Sequence, residues 1–160
     1  MINPDDEQAF KRIINFPARG IGQTTLNKIA VEAKNSSVSD YIFIKDLLKS
    51  SEILNNSTKN KLLDFVIMIE SIKNKIEHAD VFDITKEVLK QSGLYNLYKN
   101  DESLEGINRI QNIEELLNGI KDFVENNEKG QASVSSFLQD VALATDQDND
   151  RNDKNKVSLM

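Results

Sequence analysis

The chain contains no cysteine and no tryptophan, a single histidine, two prolines and six glycines in 160 residues. Each shortage removes a class of protein. Without cysteine there is no disulfide framework and no thiolate metal centre, a composition that suits a reducing cytoplasm. His78 has no second histidine or cysteine to work with, so neither a zinc site nor a histidine-activated nucleophile is supported. So little proline and glycine argues against a turn-rich β-sandwich and for helices. No apolar run approaches the roughly 18 residues of a membrane span. The opening Met1-Ile2-Asn3-Pro4-Asp5-Asp6 lacks the basic and apolar regions of a signal peptide. No glycine-rich loop ends in Lys-Ser/Thr, so there is no seat of that kind for ATP phosphates. Asp146-Gln147-Asp148-Asn149-Asp150 resembles the start of a calcium loop. However, Arg151 stands where the turn glycine belongs and Val157 where the bidentate glutamate belongs. An acidic solvated linker is the better reading. Neither a catalytic residue nor a metal ligand set emerges.

What remains is ordinary for a soluble globular protein: 39% apolar and 29% charged residues. The fold predicted is all-α, an irregular multi-helix bundle. Asp5 or Asp6 caps a first helix with Ala9, Phe10, Ile13 and Ile14 inside, and Pro17 ends it. Leu26, Ile29, Ala30 and Ala33 recur at helical spacing in a second. Ser39 or Asp40 starts a third. Ser57 or Thr58 starts a long one near Lys59 to His78, with Leu62, Phe65, Val66, Ile69 and Ile72 on its apolar stripe. Asp83 precedes a helix stopped by Gly93, and Tyr95 to Tyr98 form a short piece. Ser103 to Asn126 and a segment capped by Ser133 complete the set. Residues 1–145 read as the helical domain. Residues 146–160 read as a flexible acidic loop followed by the start of a strand at Val157-Ser158-Leu159-Met160, as if the chain were a piece of a longer protein.

The most specific local signal is Arg19-Gly20-Ile21-Gly22-Gln23-Thr24-Thr25-Leu26, between the first two helices. Each glycine can take φ > 0 and lets another backbone approach. The N–H groups opening the second helix lack intrahelical partners and carry the positive end of its dipole. Such a hairpin is either a tight turn that binds nothing or a phosphate seat. Arg19, Thr24, Thr25 and Lys28 favour the seat. Contacts of this kind position a protein on the DNA backbone without reading bases. The net charge of −6 is unevenly placed: residues 1–34 carry +1 and the remainder −7. Any nucleic-acid contact is therefore confined to the N-terminal part and weak, because few phosphates can be neutralised.

Several stretches resemble one family, in order along the chain. The hairpin with Thr25-Leu26 and Lys28-Ile29, and the approach Asn3-Pro4-Asp5-Asp6…Phe10…Arg12 to Pro17, are similar to the helical 2B subdomain of the UvrD/PcrA/Rep-type superfamily 1 DNA helicases. Ile84-Thr85…Glu87-Val88-Leu89…Ser92-Gly93 matches a helix ending common there. Arg109-Ile110-Gln111-Asn112-Ile113-Glu114-Glu115-Leu116 resembles the family's Arg-x-x-Asn-Leu/Ile-x-Glu run. Ser136-Phe137-Leu138…Val141-Ala142-Leu143…Asp146 and the closing Lys156 to Met160 resemble its last helix, acidic loop and returning strand. The resemblance implies a helicase 2B-like fold with helix-hairpin-helix-like elements. It also implies a parent that unwinds DNA with ATP and Mg, typically 3′ to 5′ in repair or replication restart, with its ATP site on motor domains outside these residues. The fragment itself would be no enzyme and would hold no cofactor. It would be a cytoplasmic monomer that touches duplex DNA weakly, without sequence preference, through Arg19, Gly20, Ile21, Gly22, Gln23, Thr24, Thr25 and Lys28. Its further partners would be the rest of the helicase chain and a regulatory protein. Both ends would return to one parent domain, which places residues near 3 and 157 close together. The rival reading is a helical protein-interaction module with no DNA contact.

Overall fold

A computed structural model describes residues 3–49, 55–128 and 130–153. Among them are eight α-helices and no strand. α1 spans Glu7–Ile13, where the Asp6 side chain accepts the Ala9 N–H at 2.9 Å. α2 is Gln23–Asn35 and α3 is Asp40–Leu47, the latter capped by Ser39. α4 is Asn56–Ile76, and Asn55 is its cap, accepting from the Thr58 N–H. The sequence places that start at Ser57 or Thr58. The run Asn55-Asn56-Ser57-Thr58 offers four good caps in succession, and the helix takes the first.

α5 runs Val81–Ser92 and begins at Asp80 rather than at Asp83, which lies inside its first turn. Gly93, at φ 78, ends α5 in the left-handed conformation and leads directly into α6, Leu94–Lys99. α7 spans Leu104–Asn126 behind a Ser103 cap. α8 runs Val134–Asp153, with the Ser136 N–H bonded to Ser133 Oγ. The helix thus continues through much of the segment that composition suggests is a loop. No glycine or proline interrupts residues 134–153, so nothing local stops it. The strand expected at Val157 to Met160, and the closeness of residue 157 to residue 3, lie outside the described residues.

The main core gathers α1 to α4. Phe10, Ile14, Tyr41, Ile44, Leu62 and Phe65 are essentially inaccessible to solvent. Phe10 and Phe65 meet edge to face at 6.1 Å. Ile21, from the middle of the hairpin, is buried in this same core and pins the α1–α2 turn to the bundle. Tyr41 donates its hydroxyl to Glu70 Oε1 at 2.7 Å, and Lys45 reaches the same oxygen at 3.1 Å. The buried phenol is pushed well above its ordinary pKa by desolvation and by that carboxylate. The second half is built around α5, which packs against α4, α6, α7 and the start of α8. The Val81 N–H donates to the Ala132 carbonyl, and Phe123 meets Phe137 edge to face, so α8 is tied down at its N-terminal end.

Candidate nucleic-acid interface

The hairpin between α1 and α2 is organised by Asn15. Its Oδ1 accepts the N–H groups of Arg19 at 2.9 Å and Ile21 at 3.3 Å, and its Nδ2 donates to the Ile21 carbonyl. One side chain therefore satisfies three backbone groups that a loop of this shape would otherwise leave to water. Gly20 sits at φ 66, where a Cβ is strained. Its carbonyl accepts from Lys61 Nζ on α4 at 2.8 Å. Gly22 is different. It has φ −67 and ψ 144, ordinary extended geometry, with open space where a Cβ would stand. Of the two glycines, each able to take φ > 0, only Gly20 does so.

Gly22 is the N-cap of α2, and no side chain caps this helix. The Thr25 and Leu26 N–H groups turn back to the Gly22 carbonyl at 2.9 and 3.2 Å. Among the described residues, the N–H groups of Gly22, Gln23 and Thr24 have no protein acceptor. These three residues, like Gly20 and Lys28, are exposed, and Thr25 is half-buried. The site is thus an exposed turn whose amides at Gly22, Gln23 and Thr24 have no protein acceptor, with hydroxyls at Thr24 and Thr25 and an ammonium at Lys28, one turn along α2. Lys61 adds a second cation at the Gly20 side. Gln23 donates its amide to Asn27 Oδ1 along the helix and is partly occupied there. Ile21 is an anchor with its side chain in the core, so its part in any contact is to hold the turn.

Arg19 does not stand where the sequence suggests. Its guanidinium points inward, donating to the carbonyls of Ile13 at 2.8 Å and of Ile14 and Pro17 at 3.3 Å. It lies 5.3 Å from the centre of the Phe65 ring, and burial holds it below the usual arginine range. The physical reason is local. α1 ends at Ile13, whose carbonyl receives a backbone bond of 3.3 Å from the Phe16 N–H, and the Arg19 cation adds donors to the Ile13 and Ile14 carbonyls at the negative end of the helix. Arg19, Ile21 and Thr25 apart, the sequence-assigned residues form one exposed surface around the start of α2. Asn15 and Lys61 escaped the sequence reading. Asn15 is legible in hindsight as an amide just past a helix end. Lys61 carries no signal, since it reaches the turn from 41 residues away.

A turn of bare amides flanked by lysines is compatible with more than one partner, and relatives decide the family. The UvrD-like helicase C-terminal domain family matches the chain over residues 1–160. The chain belongs to this family. ATP-dependent DNA helicase PcrA of Staphylococcus aureus (strain Mu50) is 31% identical over 160 residues, covering 99% of the chain and 21% of that helicase. The protein of the same name from Bacillus subtilis (strain 168) is 34% identical over 148 residues, 91% of the chain and 19% of the relative. That of Staphylococcus epidermidis is 31% identical over 160 residues. The chain therefore spans about a fifth of the length of these curated relatives. Among the described residues there is no group of three or more His, Cys, Asp or Glu that could hold a metal, and no helix is long and apolar enough to cross a membrane.

Proposed function

We propose that this UvrD-like chain is the 2B-like part of an ATP-dependent DNA helicase and steadies duplex DNA by its backbone. The observation that carries the reading is the uncapped start of α2. The N–H groups of three exposed residues, Gly22, Gln23 and Thr24, lack a protein acceptor at the positive end of a helix dipole, in a family whose relatives are named DNA helicases. A phosphate there completes the cap that no side chain provides. Thr24 and Thr25 hydroxyls add donors, and Lys28 and Lys61 add charge. Nothing in this set reads a base edge, so the contact is indifferent to sequence. ATP and Mg belong to the rest of the helicase chain, which also supplies the motor. That parent unwinds DNA, 3′ to 5′, in repair or replication restart, and this part acts as an auxiliary grip in a monomeric cytoplasmic enzyme.

Fluorescence anisotropy of a labelled duplex at low salt tests the contact. Weak, sequence-independent binding is expected. Lys28→Ala should lower the slope of log affinity against log salt by about 0.9, the value for one phosphate released. No binding by the wild-type chain refutes direct contact. One observation favours a second role, docking of a regulatory protein: Leu104, Leu138 and Leu143 on α7 and α8 are exposed apolar side chains on the acidic half of the molecule.

A further inference from the structure

Arg19 touches more of the molecule than a turn residue needs to. Besides closing the end of α1, its second guanidinium nitrogen lies 3.5 Å from the Ser92 carbonyl and 3.9 Å from Met68 Sδ. Ser92 is the last residue of α5, next to the left-handed Gly93 from which α6 departs. Met68 and the stacked Phe65 belong to α4. One planar cation therefore joins the end of α1, the middle of α4 and the α5–α6 corner. Its backbone N–H is at the same time held by Asn15, the residue that shapes the hairpin.

We propose that Arg19 is a positioning residue, which sets the phosphate-binding turn against the α5–α6 corner and is not itself a phosphate ligand. This rests on the duplex-binding reading above. A guanidinium spreads five donors over a rigid planar fork and so reaches carbonyls on separate segments at once; an ammonium has three donors on one nitrogen at the end of a flexible stem and spans less. Lysine at this position keeps the charge and loses the bridge. The turn's orientation then follows the α5–α6 corner in the wild type and is released from it in the variant. The same linkage runs outward: seating a phosphate at Gly22 to Thr24 should be felt at Gly93 and Leu94, although neither residue adjoins the turn in sequence.

Arg19→Lys and Arg19→Gln in the full 160-residue chain separate the alternatives. Urea unfolding fixes the global stability of each, so that hairpin effects are read at matched stability. Without DNA, hydrogen exchange of the Arg19 and Ile21 amides, both held by Asn15, should accelerate about tenfold in Arg19→Lys relative to other native amides. With duplex, Arg19→Lys should bind about tenfold more weakly at every salt concentration, with the wild-type salt slope retained. In wild type, duplex should shift the Gly93 and Leu94 amide resonances; in Arg19→Gln it should not. Wild-type affinity in Arg19→Lys, with a slope lowered by about 0.9 in Arg19→Gln, makes Arg19 a phosphate ligand and overturns the proposal. Unchanged hairpin exchange and unchanged affinity in folded variants also overturn it, leaving Arg19 a contributor to global stability alone. If wild type itself fails to bind duplex, the DNA reading falls, and the exchange experiment still decides whether Arg19 positions the turn.

Discussion

Replacing Gly22 by aspartate should make the protein more stable and worse at holding DNA. Gly22 already has the extended backbone of a good N-cap, and a Cβ there meets nothing within 4 Å. The new carboxylate can accept from the free N–H groups of the first turn, and an aspartate cap exceeds glycine by a few tenths of a kcal/mol. A negative charge at the helix start adds about 0.3–1 kcal/mol. Loss of glycine's freedom in the unfolded chain adds about 0.4–1 kcal/mol. The gain is therefore about 1–2 kcal/mol, or roughly 2–8 °C in Tm for a domain of this size. The same carboxylate occupies the amides that phosphate would use and repels it, so duplex affinity at low salt should fall by at least about tenfold. Differential scanning calorimetry and anisotropy on one preparation read both quantities. A more stable variant that binds duplex as the wild type does would refute the claim that these amides seat phosphate. A less stable variant would refute the cap geometry.

The two hairpin glycines should respond differently to alanine: Gly20→Ala forces a Cβ into the left-handed region and costs about 1–2 kcal/mol in urea unfolding, more than Gly22→Ala costs. Gly106→Ala is expected to cost at least about 1–3 kcal/mol, because a Cβ on Gly106 collides with the carbonyl and side chain of Asp101; wild-type stability would contradict that close approach. The Glu70 carboxylate lies below its usual pKa, chiefly through the Tyr41 hydroxyl and then Lys45. A depressed carboxylate stabilises the fold above its unfolded pKa, and that contribution disappears as pH falls through the lower folded value. Glu70→Gln should therefore lose stability near pH 7 and show a flatter acid limb below about pH 4.3, checked by urea titrations from pH 7 to 3.

Much of this architecture is legible in the sequence because it is decided locally. Asp6, Ser39 and Ser103 cap helices within three residues of themselves, and Gly93 stops α5 by its own backbone freedom. Where several cap residues adjoin, as at Asn55 to Thr58, or where Asp80 and Asp83 compete, local rules fix the helix but leave its first residue open. α8 outruns its expected end because polarity alone does not terminate a helix. The site is less legible. The exposed start of α2 follows from the glycines, yet an arginine beside a glycine turn looks like a phosphate ligand until the carbonyls at the end of α1 are seen beside it. Lys61 is brought in by α4 packing across the turn, a tertiary event with no local trace.

The most direct test of the central claim is a titration of the isotope-labelled chain with a short duplex at low salt, followed by amide resonances. Shifts concentrated at Gly20 to Leu26, reversed by added salt, are the expected result. Shifts confined to the acidic surfaces of α7 and α8, or no shifts at all in a chain that stays folded, would contradict it.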